Sequence, residues 1–250
     1  MKTPILISLL TAQSLFALVS IIPVEIGKEI GLSNIAEASL ETTRGNTDTD
    51  SYKASYRTTY DDGENFVTWA EASGAYGKAN GDENTNKVFA HARYIHAITP
   101  ELVRAEIFTQ YQNDMFMNIK NKVSYGTGAR FKVLDFERDA RGYIGLGLFH
   151  ETISYRNPEI NPSERNTRLN SYFSYSIDLN DKTSLAYALY FQPKVNDITD
   201  NIQSHEIELK VNIYRDMFLK FNIAYTMDSE PPVNIKRYDF TQNTSFVFKF

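Results

Sequence analysis

The sequence predicts an all-β chain, a transmembrane up-and-down antiparallel β-barrel of about twelve strands. Three observations carry that reading. Apolar and polar residues alternate with period two through most of the chain, the spacing at which a strand turns successive side chains to opposite faces. Short turns and long polar loops alternate between these segments. Finally, the chain ends on an aromatic strand with Phe246, Phe248 and Phe250 on one face.

Met1 and Lys2 give a short basic start, followed by an apolar run from Ile5 to about Ile22, the pattern of a secretory signal over 1–20. The cleavage site is expected within 17–38: Ala17 and Ser20 are small residues at the exit, whereas Ala36-Glu37-Ala38 has suitable letters but sits too far from the apolar core. An uncleaved anchor is the alternative, and either one places the barrel over 34–250 beyond an inner membrane.

The strands are expected at 34–43, 51–60, 66–78, 87–97, 102–112, 120–133, 141–151, 166–178, 183–192, 205–214, 217–227 and 237–250. Each approaches or exceeds the about 9–11 residues that a tilted strand needs to cross a bilayer. The clearest alternation is Ile207, Leu209, Val211 and Ile213 against Glu206, Glu208, Lys210 and Asn212. Leu219, Phe221, Ile223 and Tyr225 repeat it against Lys220, Asn222, Ala224 and Thr226. Earlier, Ala105, Ile107, Thr109 and Tyr111 oppose Arg104, Glu106, Phe108 and Gln110. Strands one, three and four alternate poorly; Phe66-Val-Thr-Trp-Ala70 forms no stripe.

Tight turns are expected at Asp61-Asp62-Gly63-Glu64, Thr99-Pro100, Asn180-Asp181 and Arg215-Asp216. Longer polar loops are expected from Ala79 to Asn86, Thr152 to Arg165, Pro193 to Ser204 and Asp228 to Lys236. Short turns at one rim and long loops at the other, with both termini on the short-turn side, is the layout of an outer-membrane barrel. A soluble sandwich would show the same period. The regular meander, aromatics near strand ends (Tyr52, Tyr60, Tyr238, Phe240) and the aromatic last strand favour the barrel.

Composition removes other classes. The 250 residues carry a net charge of −5, which leaves no basic footprint for nucleic acid. An aromatic share of 13% is too high for a disordered chain. With no cysteine there are no disulfides, thiolate metal sites or cysteine nucleophiles.

The stretch from Ala38 through Arg44, Gly45-Asn46-Thr47 and Asp50 resembles the opening of the salt-induced outer membrane protein family, domain of unknown function 481. Tyr111-Gln-Asn-Asp114 followed by Gly126-Thr-Gly128, and Gly145-Leu-Gly147 followed by Glu151, resemble it further along the chain. The resemblance covers about 35–250 and implies an outer-membrane β-barrel. It supplies no activity, ligand or catalytic residue.

By parity the barrel interior holds Arg57, Arg104, Glu106, Arg130, Arg168, Glu208, Lys210 and Lys220 as lumen-lining candidates, joined by Glu37, Glu41, Lys53, Arg93, Lys132 and Glu206. Twelve strands lie between the about eight whose interior side chains fill and the about sixteen that leave an aqueous channel. Both signs occur together, so these charges either line a narrow passive pore for small solutes or ions, or pair and seal a structural, envelope-stress barrel that acts through its outer loops. A lipid-modifying enzyme is the third reading, since His150 neighbours Glu151, Thr152 and Ser154. Alternation sends His150 and Glu151 to opposite faces, so no catalytic residue is assigned and the chain is read as no enzyme.

No cofactor and no metal is expected. Asn46-Thr-Asp48-Thr-Asp50 opens like a calcium loop but continues with Ser51 in place of glycine and Arg57 in place of glutamate, and reads as a solvated turn. The expected partners are the lipid bilayer, lipopolysaccharide and an outer-membrane assembly machinery that reads Phe246, Phe248 and Phe250. The expected location is the outer membrane of a Gram-negative bacterium, reached through the periplasm.

Overall fold

The computed structural model describes residues 24–43, 49–99, 102–136 and 140–250. The expected signal segment, the Gly45-Asn46-Thr47 turn, most of the calcium-like loop and Pro100 lie outside the described residues, as does the side chain of Glu41. In chain order the strands are β1 (Gly31–Thr43), β2 (Thr49–Asp61), β3 (Phe66–Ala79), β4 (Asp82–Thr99), β5 (Val103–Asp114) and β6 (Ile119–Phe136), then β7 (Ala140–Tyr155), β8 (Glu164–Asn180), β9 (Thr183–Pro193), β10 (Asn201–Tyr214), β11 (Met217–Asp228) and β12 (Tyr238–Lys249). Each pairs antiparallel with its chain neighbours, and β12 returns to β1 to close a twelve-stranded barrel.

Closure is written in the last strand. Ile35 faces Lys249 and Ala38 faces Phe246 across the seam, and the backbone N–H groups of Asn34 and Phe250 donate to each other's carbonyls at 2.8 and 2.9 Å. A closed sheet has no unpaired edge, the condition a sheet must meet inside hydrocarbon.

The short connections Asp62–Asn65, Asp181-Lys182 and Arg215-Asp216 share one rim with both ends of the strand series. Connections 156–163, 194–200 and 229–237 extend from the other rim. One expected long loop is instead a tight hairpin. Ala79 pairs with Asp82 around Asn80 and Gly81, whose φ angles are 51° and 92°. Two left-handed central residues match the twist of the flanking strands, so the ladder closes at once and β4 begins at Asp82 rather than near Lys87. Strands β4 and β6 run 18 residues each and exceed the about 9–11 needed to cross a bilayer.

The outward face is apolar. Leu32, Leu40, Ile107, Leu146, Leu148, Ile207 and Phe246 are all exposed there. Gln242 and Thr244 are outward-facing exceptions on β12. The weak alternation of β3 and β4 has a packing cause. Their inward Val67, Trp69 and Ile95 form an apolar cluster against Val24 and Ile26, so at this rim both faces of the wall are apolar and the stripe disappears.

Candidate functional site

The barrel interior is asymmetric, and the packed side is built by β4 to β9. Arg93 Nη1 donates to Glu106 Oε2 at 3.2 Å, and the Tyr172 hydroxyl lies 3.0 Å from both Glu106 oxygens. The Arg93 guanidinium lies 5.0 Å from the centre of the Phe108 ring and 5.6 Å from that of Trp69. Tyr172 packs on Tyr190 with ring centres 5.3 Å apart. Arg130 is fully buried, with its guanidinium 4.4 Å from the centre of the Tyr143 ring.

Glycines make room for this waist. A Cβ on Gly126 would sit 2.6 Å from Phe149 Cβ and 2.7 Å from the Phe108 ring, and one on Gly145 would overlap the Tyr172 ring. Gly128 and Gly147 face each other across β6 and β7, which flattens the wall on which the rings lie. His91 is 3% exposed among Trp69, Phe89 and Phe108, and among the described residues neither of its ring nitrogens has a hydrogen-bond partner.

Two ionic networks flank the waist. Toward the long-loop rim Glu151, with no exposed surface, accepts from Arg168 Nε at 2.8 Å and pairs with Lys122 at 2.9 Å. Arg168 also reaches Asp200 at 2.9 Å. Above this network Met117, Ile119, Ile153 and Tyr155 pack together with Ile235. Across the barrel Lys220 pairs with Glu37, which also accepts from Ser245 Oγ at 2.6 Å.

The wall from β11 through β12 and β1 to β3 is different. Ser55, Ser73 and Ala75 on β2 and β3, and Asn222, Ala224, Thr241 and Asn243 on β11 and β12, are inward, small or polar, and only half-buried. Toward the short-turn rim this wall meets Arg57, paired with Glu71 at 2.6 Å, and the Lys220–Glu37 pair.

Residues 24–30 cross the short-turn mouth. The Val24 carbonyl accepts from Arg130 Nη2 at 2.6 Å, and Glu25 pairs with Arg104 at 3.6 Å, Lys132 at 3.0 Å and Arg141. The Gly27 N–H donates to the Asp61 carboxylate at 2.8 Å. Lys28 then reaches Asp178 and Glu29 reaches Lys249.

Of the residues singled out from sequence, Glu106 pairs with Arg93 at the waist, Arg104 and Arg130 lie against the Tyr143 ring, Arg168 belongs to the Glu151 network, and Arg57 pairs with Glu71. Lys220 lies 3.8 Å from Glu208, and Lys210 lies over the Phe218 ring at 5.3 Å. Phe246, Phe248 and Phe250 are outward and exposed. Sequence reasoning did not identify Glu25, Trp69, Tyr143, Tyr172 or Asp200 as site residues. Only Tyr172 had a usable signal, the inward parity it shares with Arg168.

His150 Nδ1 lies 3.2 Å from Thr167 Oγ1 on the outer face, whereas Glu151 points inward. The outer-face His96 and His205 likewise pair with Tyr94 and Tyr187 hydroxyls at 3.2 and 2.9 Å. Among the described residues no three histidine or carboxylate side chains converge as metal ligands.

Residues 36–250 match the family described as "Protein of unknown function, DUF481". None of the curated proteins matches the sequence. Among solved structures, an outer membrane channel from Pseudomonas putida F1 is similar at 12% identity and a TM-score of 0.52, over 92% of this chain and 98% of that one. The translocator domain of autotransporter NalP from Neisseria meningitidis is similar at 11% identity and a TM-score of 0.48, over 89% and 88%. These likenesses concern the barrel fold.

Proposed function

We propose, for a chain that belongs to the DUF481 family, that it is a bacterial outer-membrane barrel carrying a narrow, off-axis polar passage for small solutes or ions. The observation that supports this reading is the unequal interior. At the waist Phe89, Arg93, Glu106, Arg130 and Tyr172 of β4 to β8 are nearly unexposed, while the facing wall bears Ser55, Ser73, Asn222 and Asn243 with half-buried surfaces. A barrel sealed by packing would carry bulky residues on both halves, as small eight-stranded barrels do. The apolar outward belt suits hydrocarbon and supports the membrane location. Export by the N-terminal segment and recognition of the last strand by an assembly machinery belong to the same reading.

We assign the constriction of the passage to the Arg57–Glu71 and Lys220–Glu37 pairs, the charged groups that this wall meets toward the short-turn rim. Single-channel recording of the folded protein in a planar bilayer tests the proposal. Discrete steps of small amplitude are expected, reduced by Ser73→Tyr and enlarged by Arg57→Ala. A silent bilayer containing folded, inserted protein would overturn it and favour a sealed barrel. That second reading draws on residues 24–30 across one mouth and on Met117 and Ile235 near the other. No catalytic role is assigned, because the candidate base His150 and the carboxylate Glu151 lie on opposite sides of the wall.

A further inference from the structure

At the short-turn mouth the barrel already holds one carboxylate. Glu25 belongs to no strand, yet its two oxygens are divided among cations from three consecutive strands. Oε1 meets Arg104 of β5 and Lys132 of β6, and Oε2 meets Arg141 of β7. Arg104 is buried and Lys132 half-buried, with side chains 4% and 12% exposed.

Among the described residues cations outnumber carboxylates even with Arg141 left aside. Arg93, Arg104, Arg130 and Lys132 share the buried Glu106, the half-buried Glu25 and Asp135 at the exposed rim. The surplus appears as unused donors. Arg130 has no exposed surface, and among the described residues neither its Nε nor its Nη1 has a hydrogen-bond partner, nor does Arg104 Nε. Buried guanidinium groups that lack acceptors are costly, and an anion that supplies them is favoured. The Tyr143 ring lies 5.4 Å from the Arg104 guanidinium and 4.4 Å from that of Arg130, so both are held in place rather than free to turn toward bulk water.

We infer that Arg104, Lys132, Arg141 and Arg130 form an anion-binding site for small carboxylates, and that Glu25 is its intramolecular occupant. Planar carboxylate geometry fits the division of two oxygens between guanidinium and ammonium groups. A free carboxylate competes with Glu25. When it succeeds, Glu25 leaves, and Val24 and Ile26 lose part of the anchorage that holds them on Val67, Trp69 and Ile95.

Trp69 reports that event. It is the chain's single tryptophan, is 2% exposed, and belongs to the cluster against which Val24 and Ile26 pack. The experiment titrates the folded full chain in detergent with sodium succinate, against sodium chloride at matched ionic strength. A saturable red shift of Trp69 emission with succinate, absent with chloride, is the expected result. The same shift in both salts, or none in either, would overturn the site.

Glu25→Gln removes the competing carboxylate, and the variant should bind succinate by calorimetry at least about tenfold more tightly than wild type, as loss of a tethered competitor requires. Equal affinity in a variant that migrates as a folded barrel would also overturn the site. If Glu25→Gln does not fold, the wild-type emission titration decides alone. Binding does not depend on conduction, so a barrel silent in bilayers but responsive to succinate would defeat the pore reading and leave the site standing.

Discussion

The Tyr172 hydroxyl on β8 donates to the Glu106 carboxylate on β5, reaching across the interior over two intervening strands at 3.0 Å. Glu106 also holds Arg93 from the neighbouring β4, so side chains of two adjacent strands and of the more distant β8 converge on one buried carboxylate. A closed sheet with an apolar outside has no other core, and this cluster takes that role.

Glu106→Gln keeps the shape and removes the charge. It leaves Arg93, 3% exposed, without its carboxylate, which is expected to cost about 3–5 kcal/mol. Urea unfolding of the protein in detergent micelles measures this. Tyr172→Phe, which deletes one donor to the same carboxylate, should cost less, about 1.5–3 kcal/mol.

The strands of this cluster were legible in the sequence, and the cluster itself was not. Period two placed Arg104 and Glu106 inward because it depends only on chain geometry. Which inward groups meet depends on barrel curvature and on the glycines that let rings lie against the wall, and parity contains neither. The Asn80-Gly81 hairpin carried its own signal, an Asn-Gly pair suited to two positive φ angles, yet the surrounding polar residues read as a loop. The mouth-crossing segment was invisible for a different reason. Val24 and Ile26 follow directly on an apolar run, so nothing in their spacing separates them from the export signal.

Gly145 is predicted to be sensitive to the smallest addition. A methyl there would overlap the Tyr172 ring, and Gly145→Ala should destabilise by about 1–3 kcal/mol through forced repacking. The cause is tested by a double-mutant cycle. In a Tyr172→Ala background the same substitution should cost much less, giving a coupling of about 1 kcal/mol or more. Additive costs would mean that the ring is not what Gly145 accommodates.

The ion pairs should differ sharply in worth. Glu151 is unexposed between Lys122 and Arg168, and Glu151→Gln should lower stability by about 3–5 kcal/mol, because two cations lose their common partner in a dry setting. Lys28 and Asp178 pair at 3.4 Å with side chains 41% and 40% exposed, where water and salt weaken the attraction. Lys28→Gln should therefore change stability by no more than about 1 kcal/mol. Urea midpoints at low and high salt separate the cases: the first loss should persist in salt and the second should vanish.

The last residue separates folding from assembly. The Phe250 side chain is 68% exposed on the outer wall, with its ring centre 6.4 Å from that of Tyr56, while its backbone completes the seam with Asn34. Phe250→Ala keeps that backbone, so refolding in detergent should match wild type to within about 0.5 kcal/mol, as for a surface change. In cells the variant should accumulate in the outer membrane at several-fold lower yield, because an exposed aromatic that the fold does not need is available to be recognised. Deleting residues 238–250 should instead abolish both, since β1 and β11 would be left with unpaired edges in hydrocarbon. Normal cellular yield of Phe250→Ala would remove the assembly role from that side chain. Failure of Phe250→Ala to refold in vitro would reassign it to closing the seam.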